Sequence, residues 1–394
     1  MNGAGNDFVI LNNLEEHLPL EQLPQIARTL CERHMSIGAD GLMVVDAPSQ
    51  GGDYRMLFYN SDGSVGEMCG NGARCICRYG YENGLAGETQ TVETTAGIVT
   101  GRRIDQRLYR IRLNDPTTVR LDSPVWDASA FIIPYTLYNY YGDLRPVEKM
   151  WPVCERYLEY LATREEADGG VTYGIGDWVF YRTQTPTDYT STCFYYYDNV
   201  LMARFAELLG RDGERYARKA AQLRELINTK YYDAEKGLYA NGSQAAQGVA
   251  LYLGIVPESD AQRVADNLAR MIADNDYFLD FGTIGSKTVL RMLTRYGHVE
   301  TAYKMASQTE GPSWGWWVSQ GFTTLAETWM LSPEWRDASI NHVFLGDVAA
   351  WYVNDLAGIN FDPADPGFGH IVIAPHFVEA LDWAAASYDS VRGE

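Results

Sequence analysis

The chain has 394 residues, of which 46% are hydrophobic and 21% charged, a composition typical of an ordered protein with more than one core. Its formal net charge of −20 argues against nucleic acid and anionic membranes as partners, because both carry the same sign of charge. No apolar run reaches the roughly 20 residues of a membrane-spanning helix, and the N-terminus lacks the basic start of a secretory signal, so we expect a cytoplasmic protein.

Short strands and helices alternate over the first 122 residues. The predicted strands are 8–11, 41–45, 54–59, 91–100 and 108–113, and the predicted helices are 22–32 and 72–82. The second helix is expected to end at Asn83-Gly84, a common helix stop. This alternation predicts an α+β lobe.

The most informative motif of this lobe runs from Asn60 to Arg74 and places Cys69 directly before a glycine-rich helix start. A helix N-terminus offers unpaired backbone N–H groups and a partial positive charge, which bind a carboxylate and favour a thiolate. The motif therefore indicates removal of a proton from a carbon next to a carboxylate, as in a racemase or epimerase. The alternative for Cys69 is a buried structural thiol.

The other five cysteines, at 31, 75, 77, 154 and 193, do not share this context. We interpret the thiols at 31, 75 and 77 as core residues, and all six as reduced in the cytoplasm. The spacing lacks the paired CxxC motifs of zinc sites, so we expect no metal.

Composition changes sharply near Ser123-Pro124, since all ten tryptophans lie beyond residue 122. Such a change predicts two segments of separate origin. The helices predicted in the second segment are 128–141, 146–162, 193–209, 213–227, 243–253, 260–273, 284–296, 298–307 and 342–356. Their short connections predict αα-hairpins, closed into a toroid because no clear sequence repeat supports a solenoid. Strands at 370–373 and 384–387 are expected to open a further β domain.

Three stretches, Gly5–Phe8, Ile37–Leu42 and Asn60–Arg74, make residues 1–122 similar to the N-terminal lobe of diaminopimelate epimerase. The resemblance implies a cofactor-independent isomerase of lysine biosynthesis that acts on the α-carbon of diaminopimelate. We therefore expect no cofactor.

Site residues follow from the same resemblance. It implies that Cys69 is one of two acid/base cysteines, that Asn6 and Asn60 bind substrate, and that the amides of Gly70 and Asn71 cradle a carboxylate. In that family the second cysteine lies in an Ala-Cys-Gly-Ser-Gly type motif. Nothing after residue 122 resembles that motif, so we expect this active site to be incomplete.

Residues 124–394 resemble a different family, the bacterial α-L-rhamnosidases with a six-hairpin α/α catalytic domain. The stretches that carry the resemblance are 126–143, 176–178, 311–316, 321–329 and 339–342. Those enzymes invert the sugar with a carboxylic acid on the leaving oxygen and a carboxylate that activates water.

Carried to this sequence, the resemblance implies Glu327 as the general base and Asp177, Trp178, Trp314 and His342 as sugar-binding residues. Aromatic faces suit the apolar side of a pyranose, whereas Asp and His suit its hydroxyl groups. The alternative for Glu327 is a solvated charge on a helix. The general acid of the family lies upstream of the matching region, so this site is also expected to be incomplete.

The resulting fold class is multidomain. It comprises the N-terminal α+β half of a diaminopimelate-epimerase-like fold (1–122), an N-terminally truncated all-α (α/α)6 toroid (124–362) and the start of a C-terminal β-sandwich (363–394). The expected function is a hybrid of isomerase and glycoside hydrolase, and the alternative is a non-catalytic rhamnoside-binding pseudo-enzyme. Expected partners are small-molecule substrates, diaminopimelate and rhamnosides, together with self-association through unpaired domain surfaces.

Overall fold

The computed structural model of the chain describes residues 1–3, 6–33, 35–112, 123–330 and 339–393. These residues form two compact units, one holding residues 1–112 with 339–341 and the other holding 123–330 with 342–393. The expected order of an α+β region followed by a helical region is confirmed. Gly5 and the predicted strand end at Leu113 lie outside the described residues.

The first unit consists of short helices on a mixed sheet. Its elements are β1 (Asn2–Gly3), β2 (Asn6–Asn12), α1 (Asn13–Glu16), a 3-10 turn (Leu20–Gln22), α2 (Leu23–Cys31), β3 (Gly41–Asp46), β4 (Tyr54–Asn60), β5 (Val65–Gly66), α3 (Gly70–Glu82), β6 (Thr89–Thr94), β7 (Gly97–Arg103) and β8 (Tyr109–Arg112). The strand order is β1-β2-β3-β4-β6-β7-β8, with β5 added to β4. The pairs β2–β3 and β4–β6 are parallel and the others are antiparallel.

Alternate side chains of β3 serve two different cores, because successive residues of a strand point to opposite faces of the sheet. Leu42 and Val44 belong to the core that contains Leu23 and Ala27 of α2. Met43 and Val45 belong to the core that contains Ile76 and Cys77 of α3. The sheet therefore lies between α2 and α3.

The predicted strand 91–100 is wrong in one respect, since it is two strands, β6 and β7, joined by a turn. Gly97 makes the turn with a φ of 111°, a conformation that residues with a Cβ rarely adopt. The β-branched residues on both sides of the turn continue one alternating pattern, which concealed the break from sequence. The helix α3 begins at Gly70, two residues before the predicted start.

The second unit is mostly helical. Its elements are α4 (Pro124–Asp127), α5 (Ser129–Tyr141), α6 (Arg145–Ala162), α7 (Thr187–Leu208), α8 (Glu214–Tyr231), β9 (Tyr232–Asp233), β10 (Leu238–Tyr239), α9 (Gln244–Tyr252), a 3-10 turn (Glu258–Asp260), α10 (Ala261–Ala273), α11 (Thr283–Arg295), α12 (Val299–Ser307), α13 (Trp314–Ser319), α14 (Asp347–Ala350), a π-helical turn (Trp351–Leu356), β11 (Ile359–Phe361) and β12 (Ile371–Ile373).

Consecutive helices pack as the hairpins α5–α6, α7–α8, α9–α10 and α11–α12. The first helices of the four hairpins also contact one another in order. Side chains from all four line one internal cavity of about 30 Å³, among them Ile132, Phe194, Tyr252 and Ile284. The predicted hairpins are thus observed, and closure into a toroid stays a prediction.

The first helices of this unit also contact its last elements. The ring of Trp126 lies 5.1 Å from that of Phe344. The hydroxyl of Tyr140 donates to Asn354 Oδ1 at 3.2 Å. Residues far apart in the sequence therefore share one helical core.

Three helix and strand predictions for this unit need correction. Helix α7 begins at Thr187 rather than 193, because Thr, Tyr and Ser of its first turns are buried and give no amphipathic signal. The predicted helix 342–356 begins only at Asp347 and continues as a π-helical turn. Residues 384–387 form no strand, since no other strand of the described chain pairs with them.

Within the described ranges, no helix has both the length and the apolar character needed to cross a bilayer. Across the same ranges, no three His, Cys, Asp or Glu side chains are grouped so that they could hold a metal ion.

Candidate functional site

Cys69 is the N-cap residue of α3, with extended backbone angles of φ −132° and ψ 115°. Its Sγ accepts a hydrogen bond from Gly72 N at 3.4 Å, so the sulfur faces the free N–H groups of the first turn. Apart from its chain neighbours and the backbone of its own helix, Gly70 has no atom within 4 Å of the position that a Cβ would occupy, so no other described segment packs on this helix start. At Gly72, in contrast, a Cβ would lie 1.8 Å from Met43 Cε, which shows how closely α3 packs on the sheet.

The other five cysteines are buried, whereas Cys69 is half-buried. Burial raises the pKa of Cys31 to about 11 and those of Cys77 and Cys154 to about 12. It also raises the pKa values of Cys75 and Cys193. These five thiols are therefore protonated at neutral pH, and the core interpretation of Cys31, Cys75 and Cys77 is confirmed.

Asn6 and Asn71 meet beside the start of α3. Asn71 Nδ2 donates to Asn6 Oδ1 at 2.8 Å, and Asn6 Nδ2 donates to Asp40 Oδ2 at 3.0 Å. Asn71 Oδ1 accepts a short hydrogen bond from Arg74. The structure therefore brings Asn6 and Asn71 together near Cys69, and it gives Arg74 a partner within the site.

Asn60 lies at the exposed end of β4. Its Nδ2 donates to Ser64 Oγ at 2.9 Å, and its backbone N donates to Ser64 O at 2.9 Å. These bonds stabilise its own turn and do not join it to Asn6 or Asn71. A substrate-binding role for Asn60 stays a prediction.

An ion cluster behind Asn6 was not predicted from the sequence. Arg33 donates to Asp40 at 2.8 Å and to both carboxylate oxygens of Asp7, at 2.7 and 3.2 Å. Burial raises the pKa of Asp7, but the hydrogen bonds and charge of Arg33 outweigh it and hold the pKa below its usual value. The available signal was that Asp7 and Asp40 each precede a predicted strand.

In the second unit, the buried carboxylate of Asp177 holds the start of α11. Its two oxygens accept from Gly282 N at 2.8 Å and Ile284 N at 2.7 Å. Burial raises the pKa of Asp177 to about 6, and these N–H groups oppose the rise. This carboxylate thus stabilises a helix start, and contact with a sugar stays a prediction.

Trp178 is held at the same place. Its carbonyl oxygen accepts from Thr283 N at 3.0 Å. A Cβ on Gly282 would lie 2.0 Å from that oxygen, so the two backbones approach very closely. The segment 177–178 and the start of α11 therefore form one rigid wall.

Trp314 belongs to a cluster of buried aromatic rings. Its ring lies 4.9 Å from that of Trp329 at 87°, and Trp317 stacks on Trp329 at 5.1 Å. Trp329 Nε1 donates to Phe281 O, and Trp314 Nε1 donates to Leu345 O at 2.8 Å. The cluster thus links α13 and residue 329 to the residue before Gly282 and to the segment that follows His342.

Glu327 is half-buried in a non-helical segment between the buried residues Ala326 and Thr328. The alternative of a charge on a helix is therefore wrong. His342 N donates to Leu325 O at 2.8 Å, which places the histidine beside the segment that carries Glu327. Phe344 N donates to His342 Nδ1 at 3.2 Å, and the two rings contact at 3.7 Å.

A cleft of about 570 Å³ opens beside these residues. Its lining residues include Thr283, Leu325, Phe344, Lys287 and Asp347. Lys287 donates to Asp347 at 3.3 Å. The cleft therefore has one apolar side and one charged side, which sequence reasoning did not predict.

The charged side of the cleft continues inward. Arg291 donates to Asp347 at 2.8 Å and to Asp355 at 3.0 Å. Burial raises the pKa of Asp355 to about 6, although the charge of Arg291 opposes the rise. This network ties α11 to α14 and the π-helical turn.

The chain thus combines an α+β lobe in which Cys69 caps a helix with a helical-hairpin unit in which His342 lies beside the segment of Glu327. Residues 113–356 match the bacterial alpha-L-rhamnosidase 6 hairpin glycosidase domain, and the chain belongs to that family. Residues 358–394 match the C-terminal domain of bacterial alpha-L-rhamnosidase. Residues 1–108 match diaminopimelate epimerase.

Individual relatives match in the same two regions. An alpha-L-rhamnosidase of Streptomyces avermitilis is 30% identical over 276 residues, 68% of this chain and 26% of the relative. A diaminopimelate epimerase of Moorella thermoacetica is 53% identical over 105 residues, 26% of this chain and 37% of the relative. The chain thus spans about a quarter of the first relative and just over a third of the second.

Solved structures match the helical unit. The crystal structure of Streptomyces avermitilis alpha-L-rhamnosidase complexed with L-rhamnose aligns with a TM-score of 0.63 at 29% identity, over 67% of this chain and 26% of that one. The alpha-L-rhamnosidase from Dictyoglumus thermophilum aligns with a TM-score of 0.61 at 32% identity, over 66% of this chain and 30% of that one. Both resemblances named from sequence are therefore confirmed.

Proposed function

We propose that the first unit carries one half of a cofactor-independent epimerase site, in which Cys69 exchanges a proton with the α-carbon of diaminopimelate. The observation that supports this most directly is the half-buried Cys69 at the N-cap of α3, beside the open position at Gly70. The match to diaminopimelate epimerase supports the substrate.

In this proposal the substrate carboxylate binds the free N–H groups at Gly70 and Asn71, and the Cys69 thiolate takes the α-proton. The electron pair of the broken C–H bond is delocalised into the carboxylate, where the positive end of α3 stabilises it. Inversion needs a second acid on the opposite face of the carbon. The other five thiols are buried, which supports a site that exchanges the proton without efficient inversion.

The test is incorporation of deuterium at the α-carbon of diaminopimelate in heavy water. We expect slow exchange that exceeds epimerisation and falls by about 10²–10⁴-fold in Cys69→Ser, the range of a lost general base. Cys75→Ala removes a buried thiol from the same helix and should leave the exchange unchanged. Racemisation without α-proton exchange, or exchange that survives Cys69→Ser, would contradict the proposal.

A second proposal, supported by the family membership of residues 113–356, is inverting hydrolysis of α-L-rhamnosides with Glu327 as general base. The rigid wall at Asp177 and Trp178, the ring of Trp314 and the side chain of His342 would bind the sugar. The matching general acid lies outside the resemblance, so we propose slow turnover that depends on an activated leaving group.

Hydrolysis of an activated aryl rhamnoside separates this activity from mere binding. Glu327→Gln should abolish the residual rate while leaving the affinity for L-rhamnose, measured by calorimetry, within about twofold. Glu310→Gln, which removes a carboxylate elsewhere in the same unit, is the control. Binding without any turnover in the parent protein would favour the non-catalytic rhamnoside-binding alternative, and an unchanged rate in Glu327→Gln would reject the base.

For the architecture, we propose domains at 1–122, 124–362 and 363–394, with the hairpins closed into an incomplete (α/α)6 toroid and the last domain opening a β-sandwich. The family matches cover 1–108, 113–356 and 358–394, which supports three regions in this order, with boundaries that precede the proposed ones. The contacts of α4 and α5 with residues 344 and 354 support closure.

We also propose that the chain is cytoplasmic and self-associates through unpaired apolar surfaces. Phe377 is 87% exposed and Trp383 is 78% exposed, which supports such a surface. Sedimentation velocity should show a concentration-dependent shift that Phe377→Ser with Trp383→Ser removes. A concentration-independent monomer would contradict the self-association.

A further inference from the structure

A single row of hydrogen bonds runs from the ion cluster behind Asn6 to the first turn of α3. In order, its members are Arg33, Asp40, Asn6, Asn71 and Arg74. None of the four contacts uses a backbone atom, so the row depends on side-chain chemistry alone. It ends at Arg74, five residues after Cys69.

The two ends of the row differ in hydrogen-bonding capacity. An ionised aspartate only accepts hydrogen bonds, and an arginine only donates them. Asp40 therefore requires the Nδ2 of Asn6, which leaves Oδ1 of Asn6 to accept from Asn71. Arg74 requires the Oδ1 of Asn71, which leaves Nδ2 of Asn71 to donate. Asp40 at one end and Arg74 at the other therefore favour the same orientation of the Asn6 and Asn71 amides.

The pairing of β2 with β3 determines the position of Asp40, the first acceptor of the row. The strands β2 and β3 are parallel with Phe8 opposite Gly41, so Asp7 and Asp40 stand side by side. Their backbone and carboxylate groups bond reciprocally, with Asp7 N donating to Asp40 Oδ2 at 3.1 Å and Asp40 N donating to Asp7 Oδ1 at 3.1 Å. Arg33 joins both carboxylates, and its single positive charge lies between them. Asp40 is therefore fixed from three directions before it meets Asn6.

We propose that Asp40, held by Arg33, is a positioning residue of the Cys69 site, which sets the orientation of the Asn6 and Asn71 amides and so fixes the first turn of α3 for carboxylate binding. The inference rests on the proposed reaction at Cys69 for its functional consequence. Its structural content, the single orientation of two amides, does not depend on that reaction.

The test uses the full chain labelled with ¹⁵N-asparagine and follows the side-chain NH₂ signals of Asn6 and Asn71. The amide that Asp40→Asn introduces can donate or accept a hydrogen bond. The variant therefore no longer determines the orientation of the Asn6 amide at this end of the row. We expect both NH₂ signals to shift and their exchange with water to rise about tenfold, as for the loss of one hydrogen bond to a charged group. The hydrogen bonds of Asn71 go to Asn6 and Arg74 and not to Asp40, so an effect limited to the partners of Asp40 would leave the Asn71 signal unchanged.

Two further variants complete the design. Arg74→Gln replaces the donor-only group at the Asn71 end of the row, so the orientation of the Asn71 amide is no longer determined there. The NH₂ signal of Asn6 should then shift, although the hydrogen-bond partner of Arg74 is Asn71. Glu82→Gln breaks a carboxylate–arginine pair of the same helix, where Arg78 donates to Glu82 at 2.8 Å, and should move neither signal. The proposal would be overturned if Asp40→Asn left the NH₂ signal of Asn71 unchanged and Arg74→Gln left that of Asn6 unchanged.

Kinetics separate this inference from the proposed function. If the parent protein exchanges the α-proton, Asp40→Asn should raise KM about tenfold and change kcat less than threefold, because the variant weakens carboxylate binding rather than proton transfer. A reversed split would count against the positioning role. An inactive parent protein with coupled NH₂ signals would reject the reaction and retain the amide row.

Discussion

At the scale of single residues, Asp198 is unusual because its ionisable side chain lies in the protein interior. It lies in the middle of α7, fully buried, and among the described residues neither of its carboxylate oxygens has a hydrogen-bond partner. Burial and then the nearby charge of Asp127 raise its pKa well above the usual value. The other titratable groups that face it, on α6 and on α7 itself, are Cys154, Tyr157, Tyr195 and Tyr197. The carboxyl group therefore holds its proton more tightly in the folded protein than it would in water.

A raised carboxyl pKa makes the folded state hold its proton more tightly than the unfolded state. The stability that Asp198 contributes is therefore complete below the unfolded pKa near 4 and decreases as the pH rises above it. We expect Asp198→Asn to flatten this dependence, so that the variant gains free energy of unfolding relative to the parent protein between pH 5 and pH 8. Urea denaturation at both pH values measures the difference.

Other acids affect this comparison equally in both proteins. Burial raises the pKa values of Asp177 and Asp355 to about 6. The stability that each contributes therefore decreases as the pH rises from about 4 to about 6, in the parent protein and in the variant alike. Asp382→Asn, at an exposed position of the same unit, is the matched control. Identical pH profiles for Asp198→Asn and Asp382→Asn would contradict the assignment.

At the scale of elements, the aromatic cluster joins helix α13 to the segments around residues 281 and 329, which have no regular secondary structure of their own. Trp329 is 1% exposed and contacts the rings of Phe281, Trp314 and Trp317. Trp329→Ala should lower the free energy of unfolding by about 3–5 kcal/mol, since it leaves a large cavity and an unpaired carbonyl at Phe281. Chemical denaturation followed by circular dichroism measures the loss.

Trp383 provides the matched control, because the same substitution there removes a ring that is 78% exposed. Trp383→Ala should change the free energy of unfolding by no more than about 0.5 kcal/mol. Equal losses at positions 329 and 383 would show that the cluster does not stabilise the unit.

The elements also show how far sequence reasoning reaches. The helices α2 and α3 and most hairpin helices were predicted because apolar spacing is a local signal, as with Leu23, Ala27 and Cys31 of α2. The turn at Gly97 was missed because the pattern of β-branched residues continues across it. The position of Cys69 at a helix start was predicted from the glycines that follow it.

Partners distant in sequence could not be predicted in the same way. Asp177 bonds to Gly282, which lies 105 residues further along the chain, and no periodicity relates the two. The contact of Asn6 with Asp40 depends on the parallel register of β2 and β3, which a single sequence does not specify. Residue types were therefore predictable where helix or strand spacing determines them, and hydrogen-bond partners were not.

At the scale of the whole molecule, each unit has hydrophobic cores of its own. Units with separate cores generally unfold as separate cooperative transitions. Because all ten tryptophans lie beyond residue 122, tryptophan fluorescence should report one transition while calorimetry shows two.

Core variants in each unit assign the two transitions. Ile76→Ala should lower the midpoint temperature only of the transition that tryptophan fluorescence does not detect. Leu268→Ala should lower the midpoint temperature only of the transition that fluorescence detects. Each change should cost about 2–5 kcal/mol in its own unit. A single transition that both variants lower equally would contradict separate cores.

The fixed amides beside α3 have a consequence for molecular selectivity. Each NH₂ group uses one hydrogen within the row, so Asn6 and Asn71 each keep one further hydrogen for donation, and under the proposal neither amide rotates to reverse this pattern. An incoming anionic group meets matched donors without a rotational entropy loss, whereas an incoming ammonium group cannot induce the opposite arrangement. The proposed amide row would thus distinguish the two ends of a zwitterion before any bond to carbon is broken.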